Sequence, residues 1–309
     1  MLDMRIDALL PSEMAQRAEY LGVRKAGMPF LSMFTLSILA GAFIALGAIF
    51  ATTVTAGSSM AIKASDPAAA FVPLIASIPY GIVRLLTGLV FCLGLILVVV
   101  AGAELFTGNN LIVMAWASGK VSTLSLLRNW GIVYFGNLVG SILTAAMMFF
   151  SKQYTFGNGA VGIAALNIAI TKSNLGFIQA IVLGIFCNAL VCLAVWLTYS
   201  ARSEIDKIIA IIFPITAFVA AGFEHSVANM YFIPIGLFIR MFDPTFTNNV
   251  AASVEAGAKF SLDTLTWKAF FLNNLLPVTI GNIIGGAVLV AIVYWFVYLR
   301  PLTKVKGMK

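Results

Sequence analysis

The chain of 309 residues is 61% hydrophobic and 10% charged, with a mean hydropathy of +1.00 and a net charge of +7. A soluble domain of this composition would have to expose much of its core to water, so the sequence predicts an all-α integral membrane protein. The basic residues stand at the ends of apolar segments, where anionic lipid headgroups lie, so the positive charge does not indicate nucleic acid.

Residues 1–27 are predicted to form a cytoplasmic N-terminal helix. Pro11 begins the helix, and apolar residues recur at helical spacing through Met14, Ala18 and Leu21. No cleavable signal peptide fits, because basic residues interrupt this stretch and leave no continuous apolar run. The spacing is compatible with a helix that packs on the protein and with one that lies on the membrane surface.

Six apolar segments, each at least as long as a bilayer-crossing helix, follow within residues 28–300. The second is interrupted by Glu104, and the fifth by Glu224 and His225. Both are too long for one straight span and contain small or helix-capping residues, so the second and fifth helices are predicted to be broken. The other four are free of charge and cover the interval between Lys25 and Lys63 and residues 129–151, 173–201 and 269–299.

Lysine and arginine are concentrated near the chain ends and in short loops on one side of the predicted membrane. Examples are Arg17, Lys120, Arg128 and Arg202. By the positive-inside rule, both termini of this multi-pass chain are expected to be cytoplasmic, including a tail of residues 301–309.

Two sequence blocks occur twice, in the same order. The block GAELFTGN at residues 102–109 matches GFEHSVAN at 222–229, and NWGIVYFGNLVG at 129–140 matches NLLPVTIGNIIG at 274–285. The chain therefore divides into two halves of three helices each. Because each half crosses the membrane an odd number of times, the second half is inverted relative to the first, as in many transporters and channels.

The paired breaks are expected to line a pore, because irregular backbone at membrane depth is tolerated only beside protein or water. Beyond each break a half-helix begins near Thr107 or Ser226, and its unpaired N–H groups carry about half a positive charge. Inversion brings both positive ends toward one point. The site therefore favours an anion over a cation.

Two kinds of titratable group lie at the breaks. His225 is the only histidine, and at this depth we expect a functional role, with a proton that it lends to a bound weak acid. Glu104 and Glu224 would repel an anion if they faced the pore, so we expect them to point away from it and to accept backbone N–H bonds. We assign a structural role at the breaks to the matched Asn109 and Asn229 as well.

The residue inventory argues against catalysis and against a metal site. One histidine, no HExxH pattern and no Ser/His/Asp set indicate that the chain is not an enzyme. Cys92, Cys187 and Cys192 lie in apolar runs without CxxC or Cys/His spacing, so no metal and no other cofactor is expected.

Large apolar side chains beside both breaks are candidates for constrictions that narrow the pore and exclude water. Plain packing explains such residues equally well. They are Phe91, Leu95, Leu105, Phe106 and Phe218.

Five blocks, in order and spacing, resemble the formate–nitrite transporter family: AGAELFTGNN, NWGIVYFGNLVG, CNALVCLAVWLTYSARS, GFEHSVANMYFIPIG and NNLLPVTIGNIIGG. The resemblance covers essentially the whole chain. It implies an aquaporin-like six-helix fold, a homopentamer with one pore in each protomer, and bidirectional passage of formate across the bacterial inner membrane.

The resemblance also implies roles for single residues. His225 and Thr107 would meet at mid-pore, Lys172 would attract the anion and Asn188 would bind it. After Thr107 the chain has GNN where the family is expected to have small hydroxyl residues, which makes Asn109 and Asn110 candidate replacement donors. The constrictions would be formed by Phe91, Leu95, Leu105 and Phe218.

The resulting hypothesis is pH-dependent formate transport, in which His225 donates or relays a proton and formate crosses with that proton at low pH. In a variant, formate crosses as the anion and His225 only donates hydrogen bonds. The alternatives are a channel for nitrite, acetate or hydrosulfide, and a pore for neutral solutes. The YFIPIG motif and the insert at residues 241–268 favour formate over nitrite. By resemblance, the N-terminal helix would close the cytoplasmic mouth at acid pH.

Overall fold

The computed structural model describes residues 8–56, 78–253 and 261–300. The predicted tail of residues 301–309 lies outside the described residues. In chain order the helices are α1 (Pro11–Ala26), α2 (Phe30–Thr55), α3 (Tyr80–Gly102), α4 (Val113–Ala117), α5 (Thr123–Phe150), α6 (Ala160–Ser173), α7 (Phe177–Ser200), α8 (Glu204–Ala221), α9 (Ser226–Phe242), α10 (Pro244–Ser253) and α11 (Ala269–Leu299).

All six predicted spans are present in the described ranges. Five single helices, α2, α3, α5, α7 and α11, are long and apolar enough to cross a membrane. The sixth span is formed by α8 and α9, which are bent by 51° at a short break. The all-helical membrane fold is therefore confirmed, and the fifth predicted span is broken where its glutamate and histidine interrupt the apolar run.

Span ends differ from the sequence-based bounds because charged residues do not mark them. Helix α5 begins at Thr123, and Arg128, which was expected to precede the span, lies within its second turn. Ser122 caps this helix, since its Oγ accepts a hydrogen bond from the Ser125 amide at 3.1 Å. Long basic side chains keep their charged ends at the membrane surface, so the first turns of a span tolerate them.

Two helices were not predicted. Helix α6 is apolar but is shorter than a bilayer-crossing helix, so the span length used to divide the sequence excludes it. Helix α10 lies in the expected insert and begins after Asp243, whose Oδ1 accepts the Phe246 amide at 3.0 Å. One capping residue before a short segment is a weak signal for a helix, and it is much weaker than the long apolar runs that predict the spans.

The repeated glycines let helices approach closely. Helix α5 packs on α2 and helix α11 packs on α7, which are equivalent pairs in the two halves. A Cβ atom at Gly140 would lie 2.0 Å from the Ile38 carbonyl oxygen, and one at Gly285 would lie 2.1 Å from that of Ile185. Any side chain would force the backbones apart, which is the physical reason for these repeated glycines.

Helix α1 packs on the protein. It contacts α4 and the helical turn before it, and a Cβ atom at Gly22 would lie 3.0 Å from the Ala115 side chain. The carboxylate of Glu19 pairs with the Lys120 ammonium, and Ser200 Oγ donates to the Leu9 carbonyl at 3.1 Å. The spacing allowed either a helix that packs on the protein or one that lies on the membrane surface, and these contacts agree with the first.

A polar cluster outside the spans joins the segment after α5 to the end of α9. Tyr154 is buried, and its hydroxyl donates to Asp243 Oδ2 at 2.6 Å and accepts from Lys152 Nζ at 2.8 Å. The Tyr154 hydroxyl holds the pKa of the Asp243 carboxyl below its usual range, with help from the Phe246 amide and the nearby lysine.

Candidate functional site

The two breaks have the same backbone geometry. Helix α3 ends at Gly102 with a φ of +85°, and α8 is capped by Gly222 with a φ of +79°. Only glycine adopts this conformation without strain, which explains why both blocks begin with glycine. The next helical segments begin at Gly108, in a 3-10 turn that leads into α4, and at Ser226.

In the first half, the side-chain amide of Asn137 holds the broken backbone. Its Oδ1 accepts the Phe106 amide at 2.9 Å, and its Nδ2 donates to the carbonyls of Ser37 at 2.8 Å and Glu104 at 2.9 Å. Asn137 is fully buried, so these bonds satisfy polar groups that water does not reach.

In the second half, Asn282 makes the same three bonds. Its Oδ1 accepts the Ser226 amide, and its Nδ2 donates to the carbonyls of Gly184 and Glu224, each at 2.9 Å. The repeated asparagines are thus equivalent in contacts as well as in sequence, which confirms that the two halves are structural repeats.

The two glutamates do not use the predicted donors, and Glu224, which was expected to point away from the pore, lines the same cavity as His225. Glu104 Oε1 accepts from Lys25 Nζ at 2.7 Å, and Oε2 accepts from Asn109 Nδ2 at 2.7 Å. Glu224 Oε1 and Oε2 accept from Lys172 Nζ and Asn229 Nδ2 at the same distances. The expectation of backbone N–H donors was therefore wrong. Both carboxylates are buried, and an ammonium compensates a buried negative charge better than neutral amides do.

Sequence reasoning missed Lys25 as a member of this arrangement. Lys25 lies in the last turn of α1 and Lys172 in the last turn of α6, and their carbonyls accept from Asn129 Nδ2 at 3.1 Å and Asn274 Nδ2 at 2.9 Å. The spacing becomes a signal only with the structure: Lys25 precedes Ser37 by as many residues as Lys172 precedes Gly184, and the carbonyls of Ser37 and Gly184 accept from Asn137 and Asn282. Helices α1 and α6 are therefore equivalent elements of the repeat.

Between the breaks, the side chains of His225 and Thr107 are in contact. His225 caps α9, since its Nδ1 accepts the Ala228 amide at 3.0 Å. A backbone amide is always a donor, so Nδ1 carries no proton and the ring proton is on Nε2. Nε2 lies 3.0 Å from Thr107 Oγ1 and donates to it. The Thr107 hydroxyl keeps its own proton for another acceptor.

Asn188 holds the backbone on both sides of the contact between His225 and Thr107. It is fully buried, and its Nδ2 donates to the carbonyls of Asn282 at 2.7 Å and Thr107 at 3.3 Å. Both amide protons are used by backbone oxygens. In this geometry the residue positions Thr107, and it is not among the residues that line the cavity described next.

A cavity of about 670 Å³, called the vestibule below, leads to His225. Phe91 and Phe218 line it and meet edge to face with ring centroids 5.7 Å apart, and Phe218 stacks on the imidazole at 5.9 Å. Leu95 and Leu105 are buried but do not line the vestibule. The vestibule also contains Lys172, Glu224 and two residues that were not predicted for the site, Arg84 and Phe232.

No metal centre is evident at the breaks. Across residues 8–56, 78–253 and 261–300, no three His, Cys, Asp or Glu side chains come together in a way that could hold a metal ion. The donor groups that meet between the breaks are the imidazole of His225 and the hydroxyl of Thr107, which suit a small anion.

Comparison with known proteins agrees with this geometry. The formate/nitrite transporter family model matches residues 12–296. The chain is 44% identical to the formate channel FocA of Escherichia coli (strain K12) over 299 residues, which cover 96% of this chain and 97% of that protein. It is 40% identical to FocA of Haemophilus influenzae, with 96% and 95% covered. A solved structure described as a pentameric formate channel with formate bound superposes with a TM-score of 0.75 at 42% identity, covering 88% of this chain and 98% of that one.

Proposed function

The chain belongs to the formate/nitrite transporter family, and from this premise we propose that it transports formate through the passage between its two helix breaks. The relatives at 44% and 40% identity are formate channels. The observation that carries the proposal is the buried contact between His225, which lines the vestibule, and Thr107, whose hydroxyl proton is left for a solute.

The donors suit a carboxylate. With Nε2–H of His225 donating to Thr107 Oγ1, the threonine O–H is directed to a further acceptor, and a formate oxygen fills that role. The N-terminus of α9 adds a positive partial charge behind His225. Formate is small enough to present one oxygen to this pair while its C–H faces the Phe91 and Phe218 rings.

A proton relay would let formate cross the apolar constriction as the neutral acid, since a bare charge there costs several kcal/mol. The cap bond sets a condition on this step. His225 Nδ1 accepts the Ala228 amide, so the ring becomes an imidazolium only when that bond opens. The donor-only variant needs no such opening. Relay therefore couples proton uptake to a local movement at the start of α9.

The test is uptake of labelled formate into liposomes that contain the full chain, across a pH series, with formate current measured on the same protein. Wild-type uptake above empty liposomes is expected, and its absence overturns the proposal. His225→Phe removes both ring nitrogens and is expected to lose proton-coupled uptake. Unchanged proton-coupled uptake in this variant would remove the relay and leave the channel.

Selectivity is tested by competition. Formate is expected to pass faster than nitrite, acetate or hydrosulfide, and faster nitrite passage would move the assignment to the other branch of the family. Glycerol swelling in the same liposomes tests the neutral-solute alternative. Transport, and not catalysis, is the activity that these relatives share.

The assembled protein is proposed to be a homopentamer in the bacterial inner membrane, with both termini in the cytoplasm. The superposed pentameric formate channel supports the oligomeric state. Light scattering of the detergent-solubilised chain measures it, and cysteine labelling at Leu10 from either side of the membrane measures the orientation.

The proposed acid closure by α1 needs a modified test. Deleting residues 1–25 also removes Lys25 and leaves Glu104 buried without its partner. Combining the deletion with Glu104→Gln removes that charge. Loss of acid closure with normal flux at neutral pH is the expected result, and acid closure that persists in the combined variant contradicts a plug.

A further inference from the structure

The lysine of the vestibule supplies no net charge. Lys172 Nζ lies 2.7 Å from Glu224 Oε1, and the same ammonium lies 5.5 Å from the centroid of the Phe232 ring. The ion pair is neutral overall. His225 is neutral as well, because its Nδ1 accepts a backbone amide. Besides the partial charge of the α9 N-terminus, a full positive charge that attracts an anion into the vestibule must come from another group.

Arg84 is that source among the described residues. It lines the vestibule from the first turns of α3, and its Nε donates to the Ala220 carbonyl at 3.1 Å while its Nη2 donates to the Val219 carbonyl. These acceptors are neutral. Within residues 8–56, 78–253 and 261–300, no carboxylate forms an ion pair with Arg84.

The Arg84 guanidinium lies at the C-terminal end of α8, and this position affects the charge of the vestibule wall. The last carbonyls of a helix have no amide partners and together carry about half a negative charge. Val219 and Gly222 at this end both line the vestibule, so the uncovered helix end would repel an anion at that wall. The full positive charge of Arg84 outweighs it and reverses the sign of the wall.

The other half has no equivalent group. Arg84 and Glu204 precede the matched Glu104 and Glu224 by the same number of residues. Glu204 is exposed at the start of α8 and pairs with Lys207 at 3.0 Å. The charge of Arg84 therefore has no counterpart at the matched position of the second half.

Building on the proposed formate transport, we propose that Arg84 gives the vestibule its net positive potential and thereby speeds the capture of the anion. A single charge at the wall of a narrow, low-dielectric cavity raises the local anion concentration and is screened by salt. The residue acts on access to the site, whereas His225 and Thr107 act at the constriction.

The experiment measures initial formate uptake into liposomes at about 10 mM and about 300 mM ionic strength, where the Debye length falls from about 30 Å to below 10 Å. Arg84→Gln keeps a side-chain donor for the α8 carbonyls but removes the charge. It is expected to slow uptake about three- to tenfold at low ionic strength and less than about twofold at high ionic strength. Arg84→Lys keeps the charge and is expected to retain most of the wild-type rate and its salt dependence.

Arg128→Gln is the matched control, because Arg128 also donates to a backbone carbonyl, that of Met28 at 3.2 Å, but does not line the vestibule. Its uptake is expected to equal that of wild type at both salt concentrations. Gel filtration and thermal unfolding of each variant establish that the channel is assembled.

Two results would overturn the role of Arg84 while leaving formate transport intact. One is wild-type uptake in Arg84→Gln at low ionic strength. The other is an equal, salt-independent loss in Arg84→Gln and Arg84→Lys, which would identify the guanidinium as a helix cap only. Wild-type liposomes that take up no formate would contradict the proposed function instead, so the two failures are distinguishable.

Discussion

The first and second helix breaks share one scaffold and differ in the side chains that the scaffold presents. Each has a positive-φ glycine, a buried glutamate paired with a lysine, and an asparagine that makes two bonds to the broken backbone and a third to a neighbouring helix. At the position where the first break has Leu105, the second has His225. Polar groups common to both breaks hold the backbone, whereas the imidazole found in only one also contacts Thr107 of the other break.

The contrast extends to the residues that follow. Thr107 in the first break corresponds to Val227 in the second, so the hydroxyl and the imidazole that touch come from opposite halves. Neither half contains the complete donor pair. The site is a product of the inverted pairing, which explains why one repeat alone could not serve as the pore.

The largest expected effect on formate flux comes from replacing His225 of the second break by leucine, the residue at the matched position of the first break. His225→Leu removes both ring nitrogens, and formate flux is expected to fall about 100-fold, the scale of a lost proton donor. Loss of the α9 cap costs about 1 kcal/mol, so the channel still assembles. Leu105→Ile, which keeps the volume at the matched position, is expected to leave flux within about twofold of wild type. Flux near wild type in His225→Leu would show that the difference between the breaks is not functional.

Removal of a scaffold asparagine should affect both halves equally. Asn137→Ala and Asn282→Ala each leave one buried backbone amide and one buried carbonyl of the break without a partner, so each is expected to lower the free energy of unfolding by about 3 kcal/mol. Asn174→Ala, which removes bonds at the exposed end of α6, is the control and should cost less than about 1 kcal/mol. Unfolding in detergent measures all three, and strongly unequal losses at Asn137 and Asn282 would contradict a shared scaffold.

The lysines offer a finer comparison. Lys25→Met and Lys172→Met each leave a buried glutamate unpaired, with an expected loss of about 2–3 kcal/mol. The Lys172 side chain is 16% exposed and that of Lys25 is 30% exposed, so the Lys172 variant should lose more. Adding Glu224→Gln or Glu104→Gln to the matching lysine variant removes the unpaired charge and should recover most of the stability. Double variants that remain as unstable as the single ones would show that packing, not charge, is responsible.

The smallest effect is expected outside the breaks, in the cluster of Lys152, Tyr154 and Asp243. The folded-state pKa of Asp243 is below its unfolded value of about 3.9, so the cluster stabilises the protein above that pH and the contribution is lost as the pH falls through the folded-state pKa. Asp243→Asn should therefore reduce the slope of melting temperature against pH below about pH 4. An unchanged slope would mean that other carboxyls determine acid stability.

The spans and both breaks were predictable because they depend on local composition. Long charge-free runs, a glycine and a glutamate in each break, and the repeated GN pattern carry the fold without knowledge of distant contacts. The meeting of His225 with Thr107 followed from family resemblance, since the two residues are 118 positions apart in the chain. Helix α6 was not predicted because its length resembles neither a span nor a loop.

The carboxylate partners were not predictable in the same way. Lys25 and Glu104 are 79 residues apart, and Lys25 appeared to belong to a separate N-terminal helix. Its position becomes meaningful only once α1 is seen to correspond to α6. The roles of Arg84 and Asn188 likewise depend on which backbone oxygens lie within reach, and a sequence does not contain that information.

Both ring nitrogens of His225 make hydrogen bonds, Nδ1 with the Ala228 amide and Nε2 with Thr107 Oγ1. Asparagine and glutamine, the shorter and the longer amide side chain, can each replace one of these bonds. Asparagine places its oxygen near the Nδ1 position and can start α9, but it does not reach across the passage. Glutamine extends an N–H toward Thr107 but leaves the Ala228 amide without an acceptor. His225→Asn and His225→Gln therefore separate two tasks of one residue, capping α9 and contacting Thr107. Neither amide can take up a proton on one side and release it on the other.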